Sequence, residues 1–252
     1  MPKAGDLSEA NSRLDPFKSF DPAAFIGDDK VPQEICNLVL ALALAYNDSK
    51  DAVYGYFLLM ENRPLGDFQR RPDFGAWAGI RMHIIRYQLG RVFETCKLIQ
   101  DHQPWINHTV FHAIVQKMET SSKTAWQSFV SAALGQSTAD SFERLLARLR
   151  NNVLTHYGPE EIFSGYRYHF YDSSSNPKEQ ALISQGKDMD SSRFYFADAA
   201  TQGYLELRIG QDAYTFFEQA IGIMRNLNFA VAGLVRAFLE NRGFPLRDGE
   251  PH

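Results

Sequence analysis

The sequence predicts an all-α protein: an antiparallel helical bundle with a less regular insertion before its last helix, where a short hairpin fits. Three observations predict it. Apolar residues recur at three- and four-residue steps in two long stretches near the start of the chain and in one near its end. Proline and glycine clusters separate those stretches. At 252 residues, 44% hydrophobic and 22% charged, the chain can build a substantial core as one large domain or two small ones.

Residues 1–30 are polar and proline-punctuated and predict a loose tail. Pro32 suits a first helical turn, and Glu34 suits the positive end of a helix. Helical spacing of Leu38, Leu42, Ala45, Ala52, Tyr56 and Leu59 carries that helix to about Asn62. Such a helix is roughly 45 Å long. "RPLGDFQRRPD" breaks the chain with Pro64, Gly66 and Pro72. A second long helix, about Phe74 to His102, carries the stripe Ile85, Leu89, Val92, Cys96 and Ile99, and Pro104 ends it.

Shorter helices are predicted over about 107–119, 121–135 and 138–157, the last capped by Ser137 or Thr138. Residues 158–210 read as an irregular excursion. Within it "GYRYHFYD" and "YLELRIG" alternate with period two, and "DSSSNPKE" and "QGKDMDSS" are turn-like. The last helix, about Gln211 to Asn241, has two apolar stripes. One runs Phe217, Ile221, Met224, Val231, Val235, Phe238; the other runs Phe216, Ala220, Ile223, Leu227, Leu234. A helix apolar on two sides belongs in the middle of a bundle. The predicted organisation is a single helical domain over 31–243 with tails at 1–30 and 244–252.

The bulk numbers narrow the function. A net charge of −4 and a pI near 6.0 give no global case for nucleic-acid binding, so any anion site is local. Cys36 and Cys96 sit in apolar helical patterns and read as buried free thiols. The first residues contain no apolar signal-peptide core. "ICNLVLALALAY" is too short to span a bilayer. The expectation is a cytoplasmic protein that does not engage a membrane.

The stretch "RLRNNVLTHYGPEE", Arg148 to Glu161, carries the main chemical signal. Leu145, Leu149 and Val153 form an apolar row, while Arg148, Asn152 and His156 form a separate polar row at the same spacing. Arg150 and Asn151 flank the polar row. Gly158 is placed as a left-handed cap, and Pro159 as a stop. His156 would then lie in the last turn, where the helix dipole favours the imidazolium. A histidine beside an arginine suits cleavage of an RNA phosphodiester by its own 2′-hydroxyl. Imidazole moves the protons, guanidinium stabilises the phosphorane, and no metal is required. The alternative at these residues is a basic helix end whose side chains make caps and surface pairs.

"RNNVLTHY" resembles the Arg-x4–6-His motif of HEPN domains, often written with Asn after the Arg and an aromatic residue after the His. The resemblance implies a helical bundle, metal-independent ribonuclease activity of a toxin or phage-defence type, and an active site composed at a homodimer interface. It implies Arg150 as the motif arginine, Asn151 as its polar follower and His156 as the catalytic histidine. Tyr157 matches the aromatic position, which many members place one residue later. Arg148, Asn152 and Tyr157 are the expected substrate contacts. The resemblance does not explain the long front helices or residues 158–210. A second match to the spacing, Arg247 to His252, lies in the tail with no predicted helix to hold it.

Other candidates have plainer alternatives. Arg63, Arg70, Arg71, Arg81, Arg86 and Arg91 face only Asp67 and Asp73 in sequence. They form either an RNA-backbone groove with Trp77 and Tyr87 as stacking partners, or a solvated helix face with ion pairs; the second is the expectation. Asn47 and Asp51 lie one turn apart and either point into a site beside His156 or, as expected, hydrogen-bond within the bundle or face water. Asn228 interrupts an apolar stripe and needs a partner. His102, His108 and His112 invite a metal, but no acidic third ligand stands near them and HExxH is absent. Gly55, Gly79 and Gly90 read as points of close helix packing. No cofactor or metal is expected. Expected partners are RNA, a second copy of the chain, and an antitoxin or other protein. The rival class is a non-catalytic helical module that binds a partner protein or small ligand.

Overall fold

The protein is an all-α helical bundle. The computed structural model describes residues 18–64, 72–135, 158–172, 181–185, 192–210, 213–244 and 247–248. In chain order the helices are α1 (Gln33–Glu61), α2 (Pro72–Asp101), α3 (Gln103–Ile106), α4 (Thr109–Gln116), α5 (Thr120–Ala133), α6 (Pro159–Arg167), α7 (Tyr195–Ile209) and α8 (Ala213–Arg242). A one-turn 3-10 helix (Pro22–Phe25) precedes α1, and a π-helical turn (Tyr168–Asp172) extends α6. Strand β1 (Lys18–Ser19) pairs antiparallel with β2 (Arg247–Asp248), in the register Lys18 to Asp248. No helix among the described residues is long and apolar enough to cross a membrane.

The described residues fall into two compact units. One lies within Met1–Asp51, Glu94–Thr138 and Ile223–His252, the other within Ala52–Phe93 and Ala139–Gly222. In the first unit, the α1 stripe buries Ile35, Leu38, Val39 and Leu42, and α8 buries Leu227, Val231, Leu234 and Phe238. These four share one face of α8, and Leu239 on one flank with Ala230 and Ala237 on the other widen the buried arc, as two adjoining apolar stripes require. The short helices α4 and α5 meet through Phe111 and Trp126, with ring centroids 5.8 Å apart. The Gln100 amide donates to Ala133 O at 2.8 Å, satisfying a carbonyl at the end of α5. Cys36 and Cys96 are free and buried, and burial pushes the Cys36 thiol pKa up.

The segment predicted as a loose tail carries structure over its described part. Asp21 caps the 3-10 helix, Ala24 is wholly buried, and Phe25 stacks on Phe238 at 5.1 Å. Arg242 holds this segment. Its Nε donates to Ala24 O at 3.0 Å, Nη1 to the Asp28 carboxylate at 2.6 Å, and Nη2 to the carbonyls of Ala23 and Ile26. Only 5% of the arginine side chain is exposed.

The second unit corrects the strand-like reading of two stretches. "GYRYHFYD" is the end of α6 and the π-helical turn, and "YLELRIG" closes α7. The buried residues at the α6 end are Gly165 and His169, four apart. Neither residue type reads as core in a hydrophobic pattern, so the alternation of the half-buried Tyr166, Tyr168 and Phe170 dominated. In α7 the period runs through Ala200, Thr201, Tyr204 and Leu205, and half of it precedes the alternating stretch. Gly165 and Gly203 let α6 and α7 touch backbone to backbone: a Cβ on Gly165 would meet the Ala200 carbonyl and the Tyr204 backbone nitrogen. Where the short hairpin was expected, the described residues show one antiparallel bridge, in which Ser184 and Arg193 exchange N–H···O bonds of 2.8 Å.

Candidate functional site

Arg148, Arg150, Asn151, Asn152, His156 and Tyr157 lie outside the described residues. Gly158, the residue that follows them, departs from its expected role as a helix stop. Gly158 has φ −65° and ψ 112°, not the left-handed conformation of a helix stop. It is the N-cap of α6; Pro159 occupies the first turn, and Glu160 and Glu161 follow. Proline at N1 with acidic residues behind it favours a helix start, because proline lacks the N–H that a first turn leaves unbonded and carboxylates face the positive dipole end. "GPEE" is therefore a beginning. The second spacing match places Arg247 in the two-residue strand β2, and His252 lies outside the described residues.

The arginine-rich stretch is described except for 65–71, and it is organised around aromatic rings. Trp77 is 5% exposed, and its indole N–H donates to Leu59 O at 2.8 Å. That corrects its role: a buried, hydrogen-bonded indole cannot stack on a ligand base. It instead holds guanidinium groups, with Arg63 5.5 Å and Arg81 5.2 Å from the ring centroid. Phe74 stacks on Trp77 at 5.3 Å and also lies under Arg63. Tyr87 differs. It is 41% exposed, with Arg91 at 4.9 Å from its ring. Ile80 and His83 are also exposed along α2. Cations over aromatic faces are favoured by the ring quadrupole, which fixes their position while their charge is kept. Among the described residues of the stretch, guanidinium groups rest against aromatic faces and Tyr87 keeps an exposed ring.

A second cluster in the same unit is structural. Arg193 Nε and Nη2 lie 3.1 and 3.0 Å from Asp198 Oδ2, and Tyr195 OH donates to Pro72 O at 2.9 Å. Gly79 makes room for the pair, because a Cβ there would collide with both side chains. Packing was the expected role of Gly79. Gly55 and Gly90 show no such constraint, since nothing lies within 4 Å of where a methyl group would stand. Sequence reading missed Arg193 and Asp198, whose i, i+5 spacing across a helix start matches no side-chain rule.

The remaining candidates are settled by their immediate neighbours. Asn47 and Asp51 are exposed, and Asp51 lies 3.8 Å from Lys50. His102 Nδ1 engages Leu98 O at 3.0 Å, and His108 Nδ1 accepts from the Val110 N–H at 3.2 Å as the N-cap of α4. His112 is exposed, and among the described residues no three His, Cys, Asp or Glu side chains gather as a metal site. Asn228 is half-buried with its Oδ1 unbonded.

Comparison with protein-family models, with curated proteins and with solved structures finds no match to this chain.

Proposed function

We propose that the protein acts on RNA as a metal-independent endoribonuclease of the HEPN type, working as a cytoplasmic homodimer. The observation that carries this reading is the Arg150–Asn151–x4–His156 sequence in an otherwise helical protein. In the reaction, His156 of one protomer accepts the 2′-hydroxyl proton as that oxygen attacks phosphorus. The partner's His156 protonates the departing 5′-oxygen. Arg150 stabilises the charge on the phosphorane, Asn151 and Asn152 position the phosphate, and Arg148 and Tyr157 contact substrate. The products are a 2′,3′-cyclic phosphate and a 5′-hydroxyl. A chain with net charge −4 needs a concentrated cationic surface for this work, and the arginines around Trp77 and Tyr87 support the reading. A toxin or phage-defence setting would add an antitoxin or another protein partner.

The test is cleavage of single-stranded RNA in chelator. Wild type cuts, and His156→Ala is slower by at least about 100-fold, the scale of a lost general acid–base group. Equal cleavage by the variant removes the assignment.

A second reading, a non-catalytic module for a protein partner, is favoured by one observation. Phe163, Tyr171 and Phe194 in the second unit are 65%, 74% and 61% exposed. Large apolar side chains at such exposure suit a protein interface.

A further inference from the structure

We infer that the second unit contains an opening device: α2 over residues 84–92 and α1 over residues 52–60 part from their closed packing, and water reaches the Gln88 amide and the Tyr54 hydroxyl. The Gln88 side chain is the main ground. It is wholly buried, and among the described residues neither its Oε1 nor its Nε2 has a hydrogen-bond partner. A carboxamide holds two donor hydrogens and an acceptor oxygen, and each one left dry keeps its full desolvation cost. Native interiors rarely tolerate this. A side chain with no accessible surface also has no room beside it for a water molecule. The closed packing therefore carries a cost that movement relieves.

Tyr54 repeats the pattern on α1, where its hydroxyl oxygen is buried and unbonded among the described residues. The two helices meet in this unit where the Trp77 indole donates to Leu59 O. Both are soft beside the dry groups. Gly55 follows Tyr54, and Gly90 lies two residues beyond Gln88. A methyl group on either glycine would meet nothing within 4 Å, so neither serves packing. A glycine inside a helix loosens it, because its backbone has the most freedom to regain. Burial is thin as well. Eight of the nine residues 52–60 are hydrophobic, yet Tyr56 alone among them is fully buried. In the first unit, residues 35–42 of the same helix bury Ile35, Cys36, Leu38, Val39 and Leu42. Few buried apolar side chains place a segment at the low-stability end of a fold.

The measurement is backbone hydrogen exchange on the full chain, resolved along the sequence. In the wild type, amides of residues 84–92 should exchange by local opening, ahead of those of residues 35–42. Gln88→Met keeps the length of the side chain and removes both dry atoms. It should slow exchange at 84–92 by about 5- to 150-fold, the span of one relieved buried polar group, and raise the urea midpoint. Residues 35–42 should change less. Gly90→Ala adds no core contact and should slow the same amides by about 4- to 5-fold. Tyr54→Phe should act in the same direction at 52–60.

Equal protection of 84–92 and 35–42 in the wild type overturns the inference. Unchanged or faster exchange in Gln88→Met overturns it too, as does failure of that variant to fold, because each outcome means an amide that the closed state needs. Unchanged exchange in both Gly90→Ala and Tyr54→Phe removes the softness of the two helices and is equally fatal.

Discussion

Arg242 and Arg91 are both arginines beside aromatic rings, and their surroundings set them to different work. Arg242 is 5% exposed and spends its donors on three carbonyls and the Asp28 carboxylate, with Phe244 at 5.9 Å. Arg91 is half-buried on a phenol that is itself 41% exposed. A guanidinium that directs four hydrogen bonds into the protein joins chain segments. One that rests on an exposed ring is positioned by the ring quadrupole rather than by buried carbonyls. The number of arginines in a sequence does not distinguish these uses, whereas the surroundings of each one do.

The largest expected effect comes from breaking the Arg242 site. Arg242→Ala should destabilise the protein by about 2–4 kcal/mol in urea unfolding, because charge-assisted hydrogen bonds go and carbonyls lose their donor. It should also expose the N-terminal segment to protease. Arg91→Ala should fall within about 0.5 kcal/mol of wild type, as surface substitutions do. Equal losses at the two positions would erase the contrast.

The same distinction between filled and open surroundings applies to glycines. Gly165→Ala should cost about 1–3 kcal/mol, since its new methyl meets backbone atoms of α7 that cannot swing aside. Gly55→Ala meets nothing within 4 Å and should stabilise α1 by about 0.5–1 kcal/mol, the helix-propensity difference.

The smallest effect is a pH dependence at the Arg242 site. Backbone N–H groups of Val31 and Lys30, and then Arg242, hold the Asp28 carboxyl below its ordinary 3.8. The native state therefore binds fewer protons than the unfolded chain in acid. Stability from this group is complete above the ordinary value and is lost as pH falls through the lowered one. Asp28→Asn should flatten the acid limb of the urea midpoint against pH. An unchanged limb would place the acid sensitivity elsewhere.

Much of the fold was legible because it rests on periodicity. The stripe Ile85, Leu89, Val92, Cys96 and Ile99 is buried throughout, and the long helices begin and end within a few residues of the proline and glycine signals. The misses share one cause: core or anchor positions held by residues that hydropathy does not count. Gly165 and His169 hid a helix inside an aromatic alternation, and Arg242 hid the anchoring of residues 18–30. The candidate site was legible as residue types and spacing only. Trp77 and Tyr87 looked alike as stacking partners, and burial of the indole with its bond to Leu59 O separates it from the exposed phenol. The Arg150–His156 stretch stands on its sequence, since it lies outside the described residues.

The central functional claim is transfer of the scissile phosphorus to a 2′-oxygen under the control of His156. The direct measurement is the end-group chemistry of fragments made from a single-stranded RNA in excess chelator. Fragments ending in 2′,3′-cyclic phosphate, with 5′-hydroxyl partners, that disappear with His156→Ala are the expected result. Fragments with 3′-hydroxyl and 5′-phosphate ends, or cyclic-phosphate fragments produced equally by His156→Ala, contradict it.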